Sequence, residues 1–177
     1  MQLLNLLLNE NMKTKQLIEH PFKEIKDENS QILILGSFPS VVSREQNFYY
    51  MNKNNRFYKV LSKIFNEDFY NCDVEQKIKL LKKYHIALYD VVNKCFIYKS
   101  SDSSIEIVSY LNLEQIIEGT KISTIFLNGK VSYNLFIKKY PNILYPAIYL
   151  PSTSSANAKM KLEQLVDKWK IILNYLK

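Results

Sequence analysis

The chain has 177 residues, 47% of them hydrophobic, with only 5 Pro and 3 Gly, which excludes a disordered segment and suits one domain with a substantial core. A formal net charge of +7 admits a polyanionic partner, although a solvated lysine-rich surface explains it equally well: of the 24 basic residues only Arg44 and Arg56 are arginines. Two distant cysteines, Cys72 and Cys95, exclude a four-thiolate zinc or iron–sulfur site and read as reduced thiols.

In chain order, the apolar run 3–8 is too short to span a bilayer and lacks the flanks of a signal peptide. Residues 1–15 are read as an N-terminal extension and 16–177 as a single domain. The first buried strand is expected over 31–35, stopping at Gly36-Ser-Phe-Pro-Ser40. Next comes a loop rich in amide and aromatic side chains, then helices over 55–65 and 73–84, the second opening on Asp73 as a cap. A second strand is expected over 86–89 and ends beside Asp90. A short helix over 113–118 leads to a third strand over 123–127, which ends at Asn128-Gly129. A helix over 131–140 precedes a fourth strand over 147–150, which runs into Pro151-Ser-Thr-Ser-Ser-Ala-Asn157. A long helix over 159–176 closes the chain.

That alternation predicts an α/β protein, a three-layer α/β/α sandwich around a four-stranded parallel sheet. In open sheets of this kind ligands bind at the carboxyl edge of the strands. Gly36, Ser37, Ser40, Ser152, Thr153, Ser154 and Asn157 are therefore expected to meet there and to contact phosphates or shape the loop around them. Lys130 and Lys159 lie near the same edge. Neither His20 nor His85 follows a predicted strand, so no Ser–His pair is expected.

The motifs Leu35-Gly-Ser-Phe-Pro-Ser40, Ser43-Arg-Glu-Gln46, Phe48-Tyr-Tyr50, Asn55-Arg-Phe57 and Ile86-Ala-Leu-Tyr-Asp-Val-Val92 stand in one order. Ser100-Ser-Asp-Ser-Ser-Ile105, Phe126-Leu-Asn-Gly129 and Leu150-Pro-Ser-Thr-Ser154 follow, and His20-Pro-Phe22 precedes them. The set resembles the hypoxanthine-DNA glycosylases of the uracil-DNA glycosylase superfamily. It departs from the superfamily's uracil enzymes at Phe38, where those mostly carry Asp or Asn, and at Leu150, where His or Asn is common. Smaller departures from the hypoxanthine branch are Tyr58, Lys53 and Ser155, in places where that branch has Trp, Pro and Pro.

The resemblance implies a monofunctional DNA glycosylase of base excision repair that flips a deaminated base out of the helix and hydrolyses its N-glycosidic bond. Hypoxanthine is the first candidate, with uracil or xanthine after it. Damaged DNA is the implied partner, with no cofactor, metal or membrane, and the expected state is a monomer in the cytoplasm, associated with the nucleoid. The resemblance places the catalytic amide at Asn55, whose competing role is a helix cap. Asn128, Asp90, Tyr50 and Phe38 are the base-recognition candidates, with an Asn-Gly turn and a core tyrosine as the competing roles of Asn128 and Tyr50. A mismatch-specific uracil-DNA glycosylase and a non-catalytic Rossmann-like module that binds nucleotide or nucleic acid remain alternatives.

Overall fold

The computed structural model describes residues 15–98 and 105–177. The apolar run 3–8 and the serine-rich stretch 100–104 lie outside the described residues. Strands β2 (Ile32–Gly36), β3 (Ile86–Asp90), β6 (Thr124–Asn128) and β7 (Ala147–Leu150) form a parallel sheet in the order β3-β2-β6-β7. Every residue of β2 and of the edge strand β3 is buried, so helices and loops cover both faces of the sheet on that side. That is the reason these strands read as unbroken apolar runs in the sequence.

The register aligns the strand ends in one row: Gly36 pairs with Asp90, and Asn128 with Leu150. Helices α1 (Val41–Glu45), α2 (Phe57–Phe65) and α3 (Val74–Lys83) connect β2 to β3. Helix α4 (Leu113–Ile117) precedes β6, and α5 (Lys130–Lys139) returns the chain to β7. Asp73 caps α3 through a reciprocal capping box with Gln76, as its position before an apolar-periodic run predicts. Helix α1 was not expected. Ser40 caps it by accepting the Ser43 amide at 3.2 Å, inside a stretch whose composition suggests only loop.

A second sheet is the larger departure from the expected α/β alternation. Strands β1 (Lys15–Glu19), β4 (Val92–Tyr98) and β5 (Ile105–Tyr110) pair antiparallel in the order β1-β4-β5. β4 begins one residue after β3, so a single run of chain serves both sheets. The two sheets keep separate cores. Val92, Cys95 and Ile97 form a small cluster against Phe38, Ile105, Ile107 and Leu135, apart from the main core around the parallel sheet.

The closing helix is shorter than the expected 159–176. α6 (Leu162–Trp169) tightens into a 3₁₀ turn over Lys170–Tyr175, a common way for α-helices to end. The chain then returns to Gln31, whose Oε1 accepts the Lys177 amide at 2.7 Å. Trp169, wholly buried, packs edge-on to Phe57 and donates its indole N–H to the Pro151 carbonyl at 2.9 Å. This bond joins the last helix to the loop after β7. Trp169→Phe keeps most of the apolar contact but orphans that carbonyl, and is expected to cost roughly 1–3 kcal/mol in urea unfolding.

Candidate active site

A cavity of about 530 Å³ opens at the carboxyl edge of the parallel sheet. Its polar side carries Gly36, Tyr50, Asn55, Asp90 and Asn128. Phe38, Val92, Ile105, Ile107, Val131 and Leu135 form an apolar wall, and Ser37, Ser152 and Ser154 also line it. All the base-recognition candidates and Asn55 thus meet at one cavity.

Gly36 lies at the floor. A Cβ there would collide with Asp90 Oδ1 and stand 3.0 Å from the Tyr50 hydroxyl, so only glycine lets both polar groups approach. Gly129 serves a similar purpose at the next strand end: its φ of 103° is in the left-handed region and Ser152 packs against it.

Tyr50 is itself held at a φ of 58°, uncommon for an aromatic residue. Its ring stacks on Phe57 with centroids 4.0 Å apart, and its hydroxyl is buried with no hydrogen-bond partner among the described residues. Burial first, then the nearby Asp90 charge, holds that hydroxyl well above the ordinary tyrosine range, so it stays protonated. The Asn128 side chain beside it pulls the other way without reversing this, although it makes no hydrogen bond of good geometry to the hydroxyl.

Asp90 is held from behind. His20 Nε2 lies 3.0 Å from Asp90 Oδ2, with side-chain exposures of 0% and 5%. The expectation that neither histidine follows a strand is corrected for His20, while its partner is a carboxylate and not a serine. His20 follows β1 of the second sheet, and its ring extends to the end of β3. The sequence signal was His20-Pro-Phe22 within the motif set, but nothing local pointed it at Asp90.

Asn55 precedes α2. Its Oδ1 accepts the Phe57 amide at 2.9 Å, so it does cap the first turn, while the side chain also lines the cavity. The cap expected as its competing role is therefore present, and it leaves the side chain at the cavity. Asn128 is more heavily engaged: its Oδ1 accepts the Thr153 N–H and its Nδ2 donates to Thr153 Oγ1, both at 3.0 Å. The second Nδ2 hydrogen is not used by Thr153 and is left for the neighbouring Tyr50 hydroxyl or a ligand.

The serines divide by what their hydroxyls already do. Ser152 Oγ accepts the Ser154 amide and Ser154 Oγ accepts the Ala156 amide, which leaves both O–H groups free to donate outward. Ser40 differs, since its hydroxyl caps α1 and bonds Ser43 Oγ at 3.0 Å. Thr153 is wholly buried with its hydroxyl on Asn128. These two brace the site from inside, with the Ser40 O–H already donated to Ser43 and the Thr153 oxygen accepting from Asn128. Asn157 Nδ2 bonds the Ser152 carbonyl at 2.9 Å and shapes the loop. Ser37 lines the cavity, and Lys130 and Lys159 are exposed.

Arg56 is the residue that sequence reasoning missed. Its guanidinium donates to the carbonyls of Thr153 (3.4 Å), Ser154 (2.8 Å), Asn157 (2.9 Å) and Met160, and its amide donates to the Thr153 carbonyl at 3.0 Å. One side chain thereby holds the whole loop after β7.

Comparisons place the chain in a family. The model of the uracil DNA glycosylase superfamily matches residues 22–176, and the chain belongs to that superfamily. A hypoxanthine DNA glycosylase of Methanosarcina acetivorans is 30% identical over 166 residues, covering 90% of this chain and 100% of the relative. Another, of Methanosarcina barkeri, is 32% identical over 145 residues, covering 78% of this chain and 87% of the relative. A solution NMR structure of a candidate uracil DNA glycosylase from M. acetivorans superposes with a TM-score of 0.72 at 28% identity, covering 88% of this chain and 98% of that one. The protein is a DNA glycosylase, a hydrolase of this superfamily.

Arg56→Lys tests the loop anchor. An ammonium cannot reproduce the planar fork, and each orphaned carbonyl costs about 1 kcal/mol or more. The variant should stay folded, become sensitive to protease within 152–160, and bind duplex DNA about tenfold more weakly or worse.

Proposed function

We propose that the protein removes deaminated bases from DNA, hypoxanthine first, with Asp90 and Asn128 reading the base and Asn55 placing the water. The observation that carries this reading is the cavity floor, where the Asp90 carboxylate, the Tyr50 hydroxyl and the Asn128 side-chain amide line one space.

Deamination converts an amino-substituted ring into a lactam, with a ring N–H donor beside a carbonyl acceptor. Asp90 Oδ1 suits the N–H, while the spare Nδ2 hydrogen of Asn128 or the Tyr50 hydroxyl suits the carbonyl. Adenine presents the opposite pattern, a ring nitrogen lone pair beside an amino group. That lone pair would face the Asp90 carboxylate, which disfavours the normal base by leaving buried groups unpaired. Uracil and xanthine share the lactam edge, so the floor alone admits them. The cavity volume and the naming of the two Methanosarcina relatives favour hypoxanthine, whose fused rings would lie along the wall of Phe38, Ile105 and Ile107.

Asn55 Oδ1 keeps one lone pair after accepting the Phe57 amide. It would accept a hydrogen from a water and aim that oxygen at the anomeric carbon. As the glycosidic bond breaks, its electron pair goes to the base nitrogen. The water oxygen bonds the sugar carbon, and the water's proton ends on the base or in solvent. An amide is too weak a base to take that proton first, so its contribution is orientation and electrostatic stabilisation. Along the cavity's serine side the O–H groups of Ser152 and Ser154 would hold backbone phosphates, and their loop would occupy the gap left by the flipped nucleotide. The protein would act on chromosomal DNA in the cytoplasm as a monomer.

Oligonucleotides bearing single inosine, uracil or xanthine residues, treated with enzyme in chelator and then alkali, test the activity. Inosine strands should be cut only after alkali, and adenine controls should stay intact. Cleavage without alkali, or no release from any lesion, overturns the reading. Asn55→Ala should retain lesion binding and lose on the order of 10²-fold in single-turnover release. Loss of about 1 kcal/mol of stability with full turnover would leave Asn55 as a cap alone.

A further inference from the structure

A base that leaves with an electron pair gains negative charge, and Asp90 is a poor neighbour for it. In a nearly dry pocket two negative charges at contact distance repel strongly, yet the lactam N–H needs an acceptor of this kind. His20 stands where that conflict can be resolved. Its Nε2 donates to Asp90 Oδ2, and its other nitrogen faces two groups of one residue: the Phe22 carbonyl at 3.0 Å and the Phe22 amide at 3.3 Å. With Nδ1 protonated, the ring donates to the carbonyl; with Nδ1 bare, it accepts from the amide. Either state is satisfied in a fully buried site, so the ring can gain or lose a proton without orphaning a group.

We propose that His20 is a positioning residue for base release: it orients the Asp90 carboxylate and, when protonated, cancels its charge as the base departs. The proposal rests on the reading of Asp90 as a base-contacting group. No proton moves from His20 in the step. The cation stays behind the carboxylate, the pair is neutral on that face of the cavity, and the departing electron pair meets no net charge there. A His20 ring without its second proton leaves Asp90 uncompensated, and release from that state is slower.

The other groups around the pair do not compete with this titration. Tyr89 and Tyr49 pack on the His20 ring, with centroids 4.4 and 5.8 Å away, Phe22 and Phe38 close its remaining sides, and the Tyr50 hydroxyl faces Asp90 across Gly36. Burial pushes the Tyr89 hydroxyl up to about 12 and, together with the Asp90 charge, holds Tyr49 and Tyr50 higher still. All three remain neutral throughout the working range. The charged groups farther out are Glu24, Glu19 paired with Lys94 at 3.0 Å, and Arg44 over the Phe38 ring.

Single-turnover release from an inosine duplex, followed from about pH 5.5 to 9, tests the proposal. Wild-type rates should fall with rising pH by about tenfold, the scale of one pK unit of charge interaction. His20→Gln keeps a donor toward Asp90 but has no proton to lose. Its profile should be flat at the wild type's high-pH level, with lesion-duplex affinity unchanged. A purely structural role would instead lower the rate equally at every pH. The chain has two histidines, so the ring C2–H signals of the wild-type protein, assigned with His85→Gln, give a second measurement that needs no folded His20 variant. The His20 titration should share its midpoint with the rate. A His20→Gln profile that keeps the wild-type slope, or a His20 midpoint apart from that of the rate, overturns the proposal. Absence of release from wild type at every pH instead overturns the function on which it rests.

Discussion

One guanidinium decides where the ligand-facing loop stands. Arg56 is fixed to the start of α2 and satisfies carbonyls from Thr153 to Met160, groups that would otherwise be partly buried and unpaired. The consequence passes inward by a short route. Thr153, held through its carbonyl, turns its amide and hydroxyl to the side-chain amide of Asn128, and that sets which Asn128 hydrogen faces the cavity. A rigid fork on one helix therefore orients a polar group on a different strand. Among the described residues no carboxylate pairs with Arg56, so its charge adds to the attraction for a polyanion beneath the very loop that would meet one.

Much of this was legible in the chain. β2, β3 and β6 announce themselves because strands buried on both faces need unbroken apolar runs, while β7 is a half-exposed edge strand that is nonetheless apolar. The four runs stop at Gly36, Asp90, Asn128 and Leu150, the row that frames the cavity. Asp73 announced α3 by capping chemistry. What stayed hidden depends on distance. The pairing of β1 with β4 joins residues almost eighty positions apart, and neither segment carries a strong local signal. β5 alternates Ile105 and Ile107 inward with Glu106 and Val108 outward, a period-two pattern that a serine-rich flank obscures. His20 and Arg56 escaped for a related reason. Long side chains choose partners by where other elements bring them, and only the assembled fold supplies that.

The aromatic lining surrounds a buried carboxylate beside a cavity. Tyr49 and Tyr89 pack their rings against His20 and bond their hydroxyls to the Lys23 carbonyl and Asn93, and Tyr50 brings an undissociated hydroxyl near Asp90, so the site is densely packed with no further charge added. Tyr50 accepts an unfavourable backbone conformation to take part. Such a conformation persists only where its surroundings over-determine it, here through Phe57 against the ring and the bond from Met51 N–H to Ser43 Oγ beyond it.

The division of the molecule into two cores bears on how such a site can change over generations. The polar floor is rooted in the parallel sheet, where almost any substitution disturbs packing across the whole molecule. Ile105 and Ile107 belong to the small cluster on the appended sheet, and a change in their size is absorbed mainly there. Inheritance can therefore reshape the cavity's wall, and with it the range of molecules admitted, while leaving the machinery beneath untouched. A scaffold arranged this way is evolvable at its margin and conservative at its centre.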